Sequence, residues 1–297
     1  MSVTSAKPQR SLAAYLSLLR FEHTLFALPF AYGGMLLAAG GWPGWRTFLL
    51  VSLAMVGART AAMAANRVID ARSDALNPRT AGREIPSGRL TRLDGLALAA
   101  LGTAALALAG ALLNWLTLAL LPVALVFLIL YPYTKRFTWA CHLWLGLTIG
   151  AAAAGGYIAV SGSFAPTAWA LWLGVAGWVA GFDIVYALAD TAFDRQHGLH
   201  SIPARFGAAG ALLVTGLLYA IAAAALLAAG ALTGAPAGSA PLAWPYQAAI
   251  GVTVAVLAVQ LWSVARSGTR SALGSFNANL VVGPLMLVGI VAGMALR

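Results

Sequence analysis

Apolar residues in this chain run in stretches far longer than the one-sided stripe of a soluble amphipathic helix, and short polar gaps separate them. A helix needs about 20 such residues to cross the hydrocarbon of a bilayer, where no water serves unpaired backbone groups. Nine stretches fit: 12–40, 46–66, 92–112, 115–132, 139–160, 168–188, 208–231, 244–265 and 274–296. The gaps are rich in turn formers, as in Gly40-Gly41-Trp42-Pro43-Gly44 and Thr233-Gly234-Ala235-Pro236-Ala237-Gly238, so neighbouring helices are expected to be antiparallel. The pattern predicts an all-α integral membrane protein, a bundle of nine transmembrane helices forming one domain over 1–297. Helical loops on the cytoplasmic side are expected to cap a central cavity.

Composition agrees. Of 297 residues 61% are hydrophobic and only 9% charged, which excludes an ordinary soluble domain. The start, Met1 to Arg10, is polar, and the first apolar run is interrupted by Arg20, Glu22 and His23, so the layout is not that of a cleavable signal peptide. The single cysteine, Cys141, has no partner for an internal disulfide, and the four histidines (His23, His142, His197 and His200) are too scattered for a zinc site.

Lys and Arg number 18 against 8 Asp and Glu, a net charge of +10. In a soluble chain this would suggest nucleic acid; in short loops between apolar runs it points to lipid headgroups and anionic substrates, and no nucleic-acid partner is expected. With the N-terminus inside, fifteen of the 18 basic residues fall on one side of the nine-span topology, leaving only Arg46, Arg59 and Arg297 elsewhere. That asymmetry marks the basic side as cytoplasmic, and the expected location is the cell (cytoplasmic/inner) membrane with the active site facing the cytoplasm.

Five of the eight acids fall in two clusters at the cytoplasmic ends of spans. The first, at 66–74, reads Asn66-Arg67-Val68-Ile69-Asp70-Ala71-Arg72-Ser73-Asp74; the second, at 183–194, carries Asp183, Tyr186, Asp190 and Asp194. Steps of four and seven residues return to nearly one helical azimuth, so each cluster presents a stripe of oxygen ligands. The pairs Asn66 and Tyr186, Asp70 and Asp190, and Asp74 and Asp194 are each 120 residues apart, and Ile85-Pro86-Ser87 is echoed by Ile202-Pro203-Ala204, which suggests a pseudo-repeat. If the two units face each other, four carboxylates share one cavity and need a bridging cation. An all-oxygen donor set suits Mg²⁺. Arg67, Arg72, Arg79, Arg83, Arg89, Lys135, Arg136 and Arg195 lie in the same loops as the acids, and a metal ringed by cations describes a diphosphate site.

At these residues the sequence resembles the UbiA superfamily of intramembrane aromatic prenyltransferases. The resemblance covers essentially the whole chain: Asn66, Asp70 and Asp74 match an Asn-x-x-x-Asp-x-x-x-Asp motif, and Asp183, Tyr186, Asp190 and Asp194 match the second Asp-rich motif. The loop Arg79-Thr80-Ala81-Gly82-Arg83-Glu84-Ile85-Pro86-Ser87-Gly88 and the segment Tyr131-Pro132-Tyr133-Thr134-Lys135-Arg136 look like the 4-hydroxybenzoate polyprenyltransferase branch. Arg67 departs from the Asp that many members of that branch carry after the motif Asn. The stretch Phe193-Asp194-Arg195-Gln196-His197-Gly198-Leu199 is similar to relatives acting on 1,4-dihydroxy-6-naphthoate in menaquinone synthesis, so the acceptor stays open between the two acids.

The resemblance implies Mg²⁺-dependent transfer of a polyprenyl group from polyprenyl diphosphate to the ring of a small aromatic acid in respiratory quinone synthesis. Asp70, Asp74, Asp190 and Asp194 are the expected catalytic carboxylates, with Asn66 and Asp183 completing the metal ligands. Arg67, Arg72, Lys135 and Arg136 are expected on the diphosphate, and Arg136, Arg20 and Tyr186 on the acceptor. An apolar groove between helices, with Phe26, Phe30, Phe127, Tyr157, Trp172 or Trp178 in its wall, would take the tail. A membrane transporter is the non-enzyme alternative, although its charges would be expected nearer the bilayer midplane.

Overall fold

The computed structural model describes residues 10–19, 27–233, 241–267 and 275–297. Every regular element among them is helical. In chain order these are α1 (Leu12–Leu19), α2 (Leu28–Ala39), α3 (Trp45–Ile69), α4 (Ala71–Leu76), α5 (Arg92–Leu113), α6 (Trp115–Ala119), α7 (Leu121–Thr134), α8 (Cys141–Ser161), α9 (Pro166–Ala187), α10 (Thr191–Gln196), α11 (Ile202–Leu232), α12 (Trp244–Ser267) and α13 (Val282–Ala295). Short 3₁₀ turns at Leu188–Asp190 and Ser275–Val281 precede α10 and α13.

Seven helical segments among the described residues are long and apolar enough to cross a bilayer, and α2 and α7 are shorter apolar helices. The expectation of nine full-length crossings is corrected in one place. Of the first stretch, 12–40, the described residues hold α1 and α2, with Pro29, whose fixed φ suits a first turn, at the start of α2. The fourth is divided between α6 and α7 at Leu120, just ahead of Pro122, which cannot donate to the preceding turn. Stretch 208–231 begins where α11 bends: Gly207 adopts φ 70° and ψ −177°, a backbone open to glycine and closed to most L-residues. Arg20, Glu22, His23 and Phe26 lie outside the described residues.

Helices α2, α8, α9, α11, α12 and α13 pack in a closed circuit, each against the next, and α3, α5 and α7 attach beside α2 and α8. Lipid supplies no hydrophobic drive between helices, so close approach of small residues must hold them together. It is visible at each main seam. Gly57 of α3 and Gly102 of α5 face each other so closely that a Cβ on Gly57 would stand 2.8 Å from the Gly102 carbonyl. Gly34 of α2 and Gly156 of α8 abut the backbones at Ala153 and Ala31, and Gly150 of α8 lies on the α9 backbone at Trp172 and Ala176. Helix α9 is the centre of the bundle, with every residue from Gly174 to Phe182 buried.

Side chains seal the turns at the ends. Asn114 caps α6, accepting from the Thr117 amide at 3.0 Å, while its own amide donates to the Ile158 and Ala159 carbonyls of α8 at 2.9 and 3.1 Å. Thr91 and Asp94 form a reciprocal capping box that starts α5 after the loop 77–91.

Because Gly156 has backbone rather than a movable side chain against it, Gly156→Val is expected to lower stability by about 1–3 kcal/mol or more. The thermal unfolding midpoint in detergent measures this; Gly155→Val, where nothing stands within 4 Å of an added Cβ, should leave the midpoint nearly unchanged.

Candidate active site

Both Asp clusters sit where a long helix runs out. With 25 residues α3 is roughly 38 Å long at the usual rise, more than the ~30 Å of hydrocarbon, so its last turn reaches the polar edge. It stops at Ile69. Asp70 takes φ −89° and ψ 0°, and α4 restarts with Asp74 in its first turn. The second cluster repeats this: α9 stops at Ala187, Asp190 takes φ −100° and ψ 2°, and α10 restarts with Asp194 in its first turn. At each break a hydroxyl adds to a carbonyl that also accepts a backbone amide: Ser73 Oγ donates to Asp70 O at 3.0 Å beside the Asp74 amide, and Thr191 Oγ1 to Leu188 O at 2.9 Å beside its own amide. The expected unbroken stripe of ligands is thus replaced by two helix–break–helix units, which aim the last Asp of each cluster away from its parent helix.

An open polar pocket of about 90 Å³ lies between the units. Asp74, Asp190 and Asp194 line it together with Arg79, Arg83 and Lys135, and Phe193 and Leu199 supply an apolar edge. Cations hold most of the carboxylates. Arg83 Nη1 lies 2.7 and 2.8 Å from the two oxygens of Asp74, whose side chain is only 8% exposed. Arg79 bridges the two halves of the chain, pairing through Nη2 with Asp190 and donating through Nη1 to the Tyr186 hydroxyl at 2.6 Å, with its guanidinium over the Tyr186 ring. Asp70, beside the pocket, is held by Lys135 Nζ at 3.1 Å and Arg136 Nη2 at 3.3 Å, and Arg136 also donates to the Ile69 carbonyl at 3.0 Å. Among the described residues Asp194 has no cation within ion-pair distance.

The sequence-predicted residues divide accordingly. Asp74, Asp190, Asp194 and Lys135 line the pocket; Asp70 and Arg136 pair at its rim. Asn66 faces Tyr131 of α7. Asp183 is bound to His142, whose Nδ1 lies 2.6 Å from Asp183 Oδ2. Tyr186 holds Arg79. Arg72 is exposed and Arg67 is buried, and neither lines the pocket. Arg20 lies outside the described residues. The sequence counts Arg79 and Arg83 among the cations beside the acids without singling them out for the diphosphate, whereas in the structure both line the pocket and Arg67 and Arg72 do not.

The donor set is right in kind for a hard divalent ion, being carboxylate and amide oxygen without thiolate. Among the described residues no three acidic, His or Cys side chains stand close enough together to hold one ion, because Asp74 and Asp190 are turned toward Arg83 and Arg79.

The sequence matches the UbiA prenyltransferase family over residues 27–283. The chain belongs to that family. It is 31% identical over 278 residues to a 4-hydroxybenzoate octaprenyltransferase of Aliivibrio fischeri, covering 94% of this chain and 92% of that one. It is 33% identical over 263 residues to a protein of the same name from Xanthomonas campestris pv. campestris, covering 88% and 84%. A UbiA homolog from Aeropyrum pernix K1, solved without ligand, superposes with a TM-score of 0.82 at 36% identity, covering 92% of this chain and 98% of that one. A UbiA homolog from Archaeoglobus fulgidus bound to GPP and Mg²⁺ shares the fold at a TM-score of 0.70 and 18% identity, covering 95% and 99%. This UbiA-family chain is therefore an integral membrane prenyltransferase, and the transporter alternative falls away.

Arg83 neutralises a nearly buried carboxylate, so Arg83→Gln is expected to cost about 2 kcal/mol of stability without divalent ions, below the figure for a fully buried pair because Arg83 is partly exposed. Thermal unfolding checks this, with the exposed Arg92→Gln as control. Added Mg²⁺ should recover part of the loss in the Arg83 variant, since it gives Asp74 another cation.

Proposed function

We propose that this enzyme transfers a polyprenyl group from polyprenyl diphosphate to the ring of a small aromatic acid of the 4-hydroxybenzoate type, in respiratory quinone synthesis. One observation carries the reading: Asp74, Asp190 and Asp194 face Arg79, Arg83 and Lys135 across a single pocket at the end of a membrane-spanning bundle. Carboxylates gathered there suit a divalent cation, and guanidinium groups among them suit a diphosphate. The names of the A. fischeri and X. campestris relatives support the acceptor.

Asp70, Asp74, Asp190 and Asp194 would hold Mg²⁺ directly or through water, with Asn66 at the margin of the set; Asp183, engaged by His142, stands outside it. When bound, Mg²⁺ offsets negative charge on the diphosphate. Arg79, Arg83 and Lys135 do the rest from the protein side. Their N–H groups are fixed near the place where leaving-group charge grows, so they stabilise heterolysis of the allylic C–O bond more than they stabilise the intact ester. The bond's electron pair leaves with diphosphate. A ring carbon ortho to the acceptor hydroxyl then attacks the allylic carbon, and loss of the proton from that carbon restores aromaticity. Arg67, buried in the last turn of α3 with its Nε unpartnered, adds positive potential behind Asp74. Arg72 remains a candidate for the diphosphate, and Arg136 at the rim one for the acceptor carboxylate.

The tail belongs among the helices. Phe30 and Trp178, tilted at 45° with ring centroids 5.2 Å apart, line a small apolar crevice with Val175, Ala222, Leu226 and Val282, and this apolar interior supports a path for the tail between the helices. The pocket would face the cytoplasm at the cell membrane, a reading that the basic loops support.

The test is prenyl transfer in membranes carrying the protein, with 4-hydroxybenzoate and 1,4-dihydroxy-6-naphthoate offered separately beside a polyprenyl diphosphate. Transfer is expected to require Mg²⁺ and to fall by about 10²–10³ in Asp74→Ala and Asp190→Ala, the loss typical of removing one electrostatic stabiliser. Product from the naphthoate alone would favour the second acceptor, toward which the segment 193–199 points. No product from either acid with folded protein would overturn the small-acid reading.

A further inference from the structure

Among the described residues, the two acids outside the Asp clusters both contact α1. Glu84, only 4% exposed, accepts from Ser17 Oγ at 2.6 Å. Asp94, in the first turn of α5, accepts from the Tyr15 hydroxyl at 3.4 Å and pairs with Arg10 Nε at 3.3 Å. Between these polar ties Ala14 and Leu18, one helical turn apart, bury in a cluster with Ala64 of α3 and Leu90. Helix α1 is therefore fixed on the loop 77–91 and beside the last turns of α3, where that helix leaves the hydrocarbon.

Its outward side has the opposite character. Leu12 and Leu16, again one turn apart, are exposed, as are Leu93 and Leu96 at the start of α5, which the contact between Arg10 and Asp94 brings alongside. The cations stay at the surface while their acids lie beneath. The side chains of Arg10 and Arg89 keep 59% and 42% of their surface, against 10% and 6% for the Asp94 and Glu84 carboxylates that they touch, and Arg92 is exposed.

We propose that α1 and the start of α5 form a docking surface for anionic phospholipid headgroups, and that Ser17 and Glu84 carry the seating of α1 to the active-site loop. Leucines beside arginines suit a helix at the lipid–water boundary, the leucines meeting acyl chains and the arginines phosphate. A zwitterionic surface supplies the apolar contact without net charge, so the arginines select the anionic one. A second copy of this chain docked by the same face would set arginines against arginines. The link to the site is short: Glu84 follows Arg83, whose guanidinium holds both oxygens of Asp74. Arg89 touches both neighbours of Arg83, donating to the Gly82 carbonyl at 2.8 Å and to Glu84 Oε1 at 3.3 Å. A headgroup drawn to Arg89 therefore bears on the placement of Arg83.

Titrating the full-length protein in detergent with phosphatidylglycerol or phosphatidylcholine tests the surface without reference to any reaction. Phosphatidylglycerol is expected to raise the thermal unfolding midpoint more than phosphatidylcholine does. In Arg10→Gln/Arg89→Gln/Arg92→Gln the phosphatidylglycerol needed for half of that rise should increase roughly tenfold or more, each arginine near an anionic surface being worth about fivefold. Arg92→Glu, which leaves the contacts of Arg10 and Arg89 in place, should shift the half-point in the same direction and keeps the test open if the triple variant fails to fold. Arg266→Gln, at the end of α12, should leave it unchanged. Hydrogen exchange in nanodiscs reads the link: phosphatidylglycerol should slow exchange of the loop 77–91 several-fold in the wild type, and not in Ser17→Ala, which still binds the lipid. Equal stabilisation by phosphatidylcholine or by soluble glycerol phosphate would overturn the docking surface, as would an unchanged half-point in both arginine variants. Loss of a dimer in those variants with no response to lipid would assign the face to a second copy and overturn it as well. A lipid response of the loop that survives in Ser17→Ala would overturn the link.

Discussion

The pairing of carboxylates with guanidinium and ammonium groups at one end of the bundle is the interaction on which the rest of the structure depends. Carboxylates at a membrane edge, several of them buried, are costly unless compensated. The compensation organises the chain around them. Arg83 folds the loop after α4 back onto Asp74, and Arg79 in the same loop reaches Asp190 and Tyr186 more than a hundred residues away. Lys135 and Arg136 tie the end of α7 to the end of α3 through Asp70. Two halves of the chain that share no turn are joined there by side-chain charge.

Such pairing needs helix ends delivered to fixed positions, and lipid offers no hydrophobic force to do it. Close packing does. Glycines on α2, α3, α5 and α8 let backbones meet, and α9, enclosed from Gly174 to Phe182, carries its motif outward along the bundle axis. Small residues deep in the bundle and charged residues at its edge therefore belong to one arrangement. A bulkier side chain at Gly156 or Gly150 would displace the helix that bears His142, and with it the Asp183 contact.

Part of this was legible in the sequence. The two Asp clusters, their register 120 residues apart and their place at helix ends follow from spacing and from the scarcity of acids in so apolar a chain. Azimuth arithmetic was misled at Asp70 and Asp190, because it assumes a continuous helix and both helices break there, and nothing in a hydrophobicity pattern signals such a break. The choice of Arg79 and Arg83 over Arg67 and Arg72 was likewise out of reach, since it depends on how the loop 77–91 folds back. Pro122 was visible in the sequence, yet length alone counted the run around it as a whole span. The pairing of His142 with Asp183 needed α8 and α9 brought side by side.

The site as it stands carries its own counter-charges, and that bears on how it can work. An isolated cluster of carboxylates would repel and spread; here Arg79 and Arg83 keep Asp190 and Asp74 turned inward without any other ion. On the proposed chemistry these arginines have two successive partners, first the carboxylates and then the diphosphate. A guanidinium can change partner at modest cost when one anion replaces another within reach, and both arginines keep part of their surface exposed to make that exchange. Lys135 and Arg136, anchored on Asp70 at the rim, can meanwhile stay in place. Binding of an anionic donor together with a divalent cation then keeps the local charge close to its resting balance. That condition lets a strongly charged reaction proceed at the edge of hydrocarbon, and it explains why so apolar a chain concentrates its few acids and many of its arginines in one place.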